Sequence, residues 1–169
     1  MEQSVKKFWY AVYLKSRHEF KAEKKLLEKD IEAFLPVIER IRQWKDRKKV
    51  VSFPLFSGYI FVNIPDDYNS MLSILKTAGV VRFLTLEGKP SPIPEEQIIS
   101  LKKLIENNEQ IDPHPYISEG QQVRITSGPL AGVEGILIEK LNHNFLVLSI
   151  DLIKQGAAVK IDAFEIEPV

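Results

Sequence analysis

The sequence predicts an α+β chain in two parts: an N-terminal mixed α/β sandwich and a small all-β barrel of SH3-like size, joined by a polar linker. Three observations carry this. Strand-like apolar runs alternate with amphipathic stretches between residues 8 and 105. Residues 107–118, NNEQIDPHPYIS, are polar, twice interrupted by proline and without periodicity. Beyond them, glycines at 120, 128, 132, 135 and 156 separate short β-branched runs, as tight turns separate the strands of a small barrel.

Taken in order, Phe8 to Leu14 is rich in aromatic and β-branched residues and reads as a buried strand, with Ser16 a candidate cap for the segment behind it. Across Arg17 to Ile31, Phe20, Leu27 and Ile31 share one stripe of a helical wheel, so a helix with these three inward is expected. Ala33 to Ile38 and Leu55 to Ile64 are apolar runs of strand length, in which Pro36 and Pro54 mark edges, bulges or starts. Between them, Glu39 to Lys49 is the most basic stretch and reads as a hairpin's exposed tip. Asp66 or Asp67 can cap a helix that Gly79 stops, with Tyr68, Met71, Leu72 and Leu75 inward, and Val80 to Leu86 returns as a strand. Pro94-Glu95-Glu96 opens a last helix that turns Ile98, Leu101, Leu104 and Ile105 inward. The expected modules are therefore residues 1–106, a linker at 107–118, and residues 119–169. The last has limited burial and should be only marginally stable alone.

Composition removes much chemistry. Among 169 residues there is no cysteine, which excludes disulfides, thiolate zinc sites, iron–sulfur clusters and a thiol nucleophile, and makes a cytoplasmic location the expectation. No export signal is expected at the N-terminal apolar run, and nothing approaches the roughly 18 apolar residues that span a bilayer, so no membrane partner is expected either. The 23 basic and 23 acidic side chains balance overall, yet residues 1–53 carry 14 Lys/Arg against 8 Asp/Glu. Such polarity argues against blanket coating of DNA while leaving a local phosphate contact open.

Motifs for catalysis are missing. His18, His114 and His143 lack ligand spacing, no GxSxG frame exists, and the glycines from Gly128 to Gly135 precede no GK[ST]. The carboxylate pairs Asp66-Asp67 and Glu95-Glu96 sit where helix starts favour negative charge. Neither an enzyme, a metal nor a cofactor is expected. Two features remain. Arg40, Arg42, Lys45, Arg47, Lys48 and Lys49 surround Trp44: charge runs usually just face water, but this ring could stack on an unpaired base while its neighbours meet phosphates. In FPLFSGYIFV, residues 53–62, Gly58 suggests a bulge, and Tyr59 and Phe61 share one face that either a helix of the same domain or another protein's helices must cover.

These residues resemble a known family. Trp9-Tyr10-Ala11-Val12, Arg17-His18-Glu19, the 53–62 run, Gly79-Val80-Val81-Arg82-Phe83 and Pro92-Ile93-Pro94-Glu95-Glu96 occur in this order in the N-terminal (NGN) domain of the NusG transcription factors. Glu119 to Ile125 followed by Ser127 to Gly135 resembles their terminal KOW module, so the likeness spans the chain. It implies a non-enzymatic elongation and antitermination factor whose first domain grips the clamp helices of the largest RNA polymerase subunit and suppresses pausing. Carried over by position, Tyr13, Phe56, Tyr59 and Phe61 would line the clamp-helix pocket. Lys15, Arg17, His18 and the 40–49 loop would lie near the non-template DNA strand. Ser57, where the family's motif commonly has proline, tilts the resemblance toward the specialised RfaH- and UpxY-type paralogs. So does the 149–154 run, which lacks a phenylalanine-glycine pair. The missing pair counts against Rho binding, while Leu152 and Ile153 could dock a small-subunit ribosomal protein. A monomer is expected, with its KOW module as a barrel, since glycines and β-branched residues favour strands over a helical hairpin. The competing reading is a KOW-bearing RNA-binding or ribosome-associated protein that never meets polymerase.

Overall fold

A computed structural model describes residues 3–107 and 110–169. In chain order the elements begin β1 (Lys7–Leu14), α1 (Glu19–Glu28), β2 (Glu32–Phe34), β3 (Val37–Gln43), β4 (Lys48–Pro54), β5 (Tyr59–Pro65), α2 (Tyr68–Leu75) and β6 (Val80–Phe83). They continue with β7 (Thr85–Leu86), β8 (Lys89–Pro90), α3 (Glu95–Asn107), β9 (Ile111–Pro115), β10 (Gln121–Ile125), β11 (Glu134–Lys140), β12 (His143–Ile150), β13 (Gln155–Ile161) and β14 (Ile166–Pro168). The α+β class expected from the sequence is what folds. Two compact units form, one of Met1–Leu35 with Phe56–Ile98, the other of Pro36–Leu55 with Ile99–Val169.

The first unit centres on an antiparallel sheet in the order β2-β5-β1-β6. β1 and β5 pair from Lys7↔Pro65 to Tyr13↔Tyr59. Both inner strands are buried on two faces along much of their length, which is why they read as nearly unbroken apolar runs. The predicted run at 33–38 splits, because the chain leaves β2 at Leu35-Pro36 before β3 begins. The bulge expected at Gly58 lies elsewhere: Gly58 precedes β5, and the register slips between Tyr13 and Leu14 against β6.

Two helices correct the expected faces. α1 starts at Glu19 and buries Glu19, Ala22 and Leu26, while Phe20 and Leu27 are exposed. Ser16 does not cap it; His18 holds the N-cap position without a side-chain bond, and Arg17 ahead of it adopts φ 62. α2 begins as read, with Asp67 accepting from the Ser70 backbone N–H at 2.7 Å. These bonds to Ser70 hold the Asp67 carboxyl below the usual aspartate range. Its buried position is Ile74, however, with Tyr68 and Leu75 exposed. α3 buries Ile98, Leu101 and Leu104 as its pattern requires.

In the second unit, β3 and β4 form a hairpin in register from Val37↔Pro54 to Gln43↔Lys48. The remaining strands make one antiparallel sheet in the order β14-β10-β11-β12-β13-β9. Strands expected around 123–125, 135–138, 145–150 and 158–161 are β10 to β13. Two more were not foreseen. β14 pairs with β10, and β9 arises inside the stretch read as a linker, pairing with β13 from Pro115↔Gln155 to Ile111↔Val159. An edge strand tolerates proline because one side of its backbone needs no ladder bond. Residues 108 and 109 of that stretch lie outside the described residues.

Candidate functional site

The end of β1 is clasped by two glycines with positive φ, Gly58 at 84° and Gly79 at 92°. The Leu14 N–H donates to the Gly58 carbonyl oxygen and the Lys15 N–H to that of Gly79, both at 2.8 Å. A side chain would be tight at both: an added Cβ at Gly58 would sit 3.2 Å from Tyr13 Cε2, and one at Gly79 would sit 3.0 Å from His18 Cβ. The positive φ favours glycine at both, and the tight approach adds to that preference.

On this frame the rings of Tyr13 and Tyr59, cross-strand partners, lie 5.5 Å apart and tilted by 59°. Arg82, opposite Tyr13 on β6, places its guanidinium 5.6 Å over that ring. Tyr13 is 37% exposed and Tyr59 half-buried, so part of each ring is surface. Phe56 and Phe61 behave differently from the expected pocket lining. They are 1% and 0% exposed, packed edge-to-face at 6.5 Å, with Phe34 stacked on Phe61 at 6.1 Å. Period two alone puts Tyr59 and Phe61 on one face, but Phe61 lies where that face is covered.

Lys15 and Arg17 are exposed on the turn after β1, beside half-buried His18. His18 Nδ1 lies 2.8 Å from the Ser16 carbonyl oxygen, which only accepts, so that nitrogen carries a proton. The hairpin tip closes between Trp44 and Arg47, whose backbones exchange bonds of 2.7 and 3.3 Å. Trp44 is 50% exposed with Lys49 Nζ 5.0 Å from its ring centre, and Arg42 lies 5.9 Å from Phe53. Arg42 and Lys49 are cross-strand partners, with their charged ends over different rings. No ion pair among the described residues joins Arg42, Lys45, Arg47, Lys48 or Lys49 to an acid. Arg40 stands apart from this group: it donates to the Ile111 carbonyl oxygen and pairs with Asp112 at 2.6 Å.

In the C-terminal sheet, Leu152 and Ile153 fall on a helical turn, Asp151–Ile153. Ile153 is buried and Leu152 is half-exposed. Tyr116 braces the turn, its hydroxyl donating to Asp151 at 2.9 Å and its ring under Lys154 at 4.5 Å. Sequence reasoning gave no role to Arg82 or Tyr116; the signal for Arg82 was its register opposite Tyr13, visible only once the strands pair. The surfaces offer ring faces and cations, suited to binding. Among the described residues no group of three His, Cys, Asp or Glu is close enough to hold a metal, and no helix is long and apolar enough to cross a membrane.

Residues 7–102 match the family described as "Transcription termination factor nusG". The chain belongs to the NusG family. Transcription termination/antitermination proteins NusG of Staphylococcus aureus strain N315 and Staphylococcus carnosus strain TM300 are 34% and 33% identical to it, each covering 98% of both chains. A solved structure of Thermotoga maritima NusG shares the fold at a TM-score of 0.56 and 22% identity, covering 97% of this chain and 98% of that one. This chain is accordingly a NusG-like transcription termination and antitermination factor, and its mixed α/β fold with a C-terminal all-β sheet is consistent with NGN plus KOW.

Proposed function

We propose that this NusG-family factor docks on the clamp helices of RNA polymerase's largest subunit through the face around Tyr13 and Tyr59, and suppresses pausing or termination. The observation that carries the reading is the half-open tyrosine pair on the paired inner strands β1 and β5. Rigid aromatic anchors of this kind dominate protein interfaces, and Phe61, packed with Phe56 and Phe34, continues the same face of β5 as buried core. Lys15, Arg17, His18 and the hairpin from Arg42 to Lys49, with Trp44 stacking, contact the exposed non-template DNA strand. Arg40 reaches that strand only by leaving Asp112.

Functional modules at 1–106 and 119–169, with 107–118 between them, complete the reading. The turn at Leu152 and Ile153 recruits a partner such as a small-subunit ribosomal protein, and the 149–154 run, without a phenylalanine-glycine pair, puts Rho binding in doubt. Ser57 and the 149–154 run favour a specialised paralog, working as a cytoplasmic monomer that catalyses no reaction.

Pull-down of RNA polymerase by the Tyr13→Ala, Tyr59→Ala double variant tests the reading. Capture should weaken by at least about tenfold, the scale of an anchor pair. Unchanged capture would end the docking assignment. Ribosome co-sedimentation without any polymerase binding by the wild-type chain would favour a KOW-bearing RNA-binding protein instead.

A further inference from the structure

Glu19 is an acid where an acid is costly. It is 8% exposed on the inner face of α1, and burying a carboxylate costs several kcal/mol unless hydrogen bonds replace the lost water. A first-turn acid that served only the helix dipole could stay at the surface. This one turns inward and accepts from the backbone N–H of Gly58, 39 positions away in sequence, at 3.0 Å. Gly58 is itself buried, so without Glu19 its N–H would be an orphaned donor.

The peptide groups on either side of Gly58 are therefore both held. Glu19 takes the N–H, and Leu14 of β1 donates to the carbonyl oxygen. Between these bonds the Gly58 Cα faces the Tyr13 ring, close enough that a Cβ would reach 3.2 Å from it, and the next residue is Tyr59. Releasing the N–H frees the entry to β5, whose first residue, Tyr59, is the cross-strand partner of Tyr13. We propose that Glu19 is a positioning residue: through the Gly58 N–H it locks the turn entering β5 and so sets the Tyr13–Tyr59 contact face that a protein partner reads. The inference rests on the docking reading above and names the residue that organises that surface.

The full chain, carrying Glu19→Gln, Glu19→Asp or Glu19→Ala, tests it below the melting temperature of every variant. Three readouts are taken: hydrogen exchange at the Gly58 amide, the NOE between the Tyr13 and Tyr59 rings, and affinity for RNA polymerase. Gln keeps an acceptor oxygen at the same reach, so exchange, NOE and affinity should stay at wild-type levels. Asp keeps a carboxylate but falls one methylene short, and it carries the test if Glu19→Ala does not fold. With Asp or Ala the Gly58 amide should exchange, and polymerase affinity should fall, by about tenfold or more, the scale of one buried hydrogen bond lost. A purely structural role would lower the melting temperature without separating Gln from Asp in these readouts. Equal affinity for Gln and Asp, with the Tyr13→Ala, Tyr59→Ala control still weakened, would overturn the positioning role alone. Wild-type affinity in that control would overturn the docking reading and the positioning role with it.

Discussion

The tyrosine face at the end of β1 and the tip of the β3–β4 hairpin each put an aromatic ring beside a cation, but they are built to different standards. Tyr13 and Tyr59 are cross-strand partners on the two inner strands of a sheet, with buried Phe61 further along the same face of β5 and the neighbouring glycine tied at both peptide groups. Trp44 and Lys49 stand on a two-stranded ribbon in which every residue from 41 to 50 is exposed. In the proposed roles, the first surface would meet a partner of fixed shape already ordered, whereas the second would follow a partner whose shape varies. Ordering costs would then be met during folding at one and during binding at the other.

The sharpest break between them is a core substitution. Phe61→Ala should cost about 3 to 5 kcal/mol in chemical denaturation. Tyr13→Ala, which removes a half-exposed ring, should cost far less; equal losses would mean that the tyrosine face is core. Gly58→Ala comes next. It forces a side chain into a left-handed backbone against the Tyr13 ring, and about 2 kcal/mol of stability should go, with the Tyr13–Tyr59 NOE weakened. At the hairpin, Trp44→Ala should leave the melting temperature nearly unchanged. It should weaken binding of a labelled single-stranded oligonucleotide by about 1 kcal/mol, the low end for base stacking, in a titration at fixed salt. Unaltered oligonucleotide binding would reduce the hairpin to a solvated loop.

The smallest effect concerns Asp67, whose carboxyl is stabilised as the anion by Ser70. Its folded pKa lies below the unfolded value, so its contribution is complete above the ordinary aspartate range and is lost as pH falls through the depressed value. Asp67→Asn keeps an acceptor but has no proton to gain. Thermal melts of the two proteins should therefore converge as acid is added; a constant gap would mean that the cap is not titrating.

How much of this was legible in the sequence varies with the kind of signal. α2 and α3 announced their starts, because Asp67 and Pro94-Glu95-Glu96 act within one turn of themselves. The inner face of α1 did not. Phe20 and Leu27 outweigh Ala22 in any hydrophobic count, yet Ala22 and Leu26 are inside, and an acid such as Glu19 reads as surface until Gly58 is known to lie beside it. For the same reason Phe61 and Tyr59 look equivalent at period two, although only one has Phe34 and Phe56 against it. β9 was hidden by Pro113 and Pro115, which exclude an inner strand but not an outer one.

The cross-strand pair Arg42 and Lys49 has a consequence for ionic strength. Added salt weakens attraction to a phosphate chain, but it also damps the push between these two side chains and so steadies the empty ribbon. A polyanion bound as proposed would offset the repulsion itself. Occupancy and ribbon stiffness should rise together at low salt and come apart at high salt, where a stiff hairpin waits with nothing to hold.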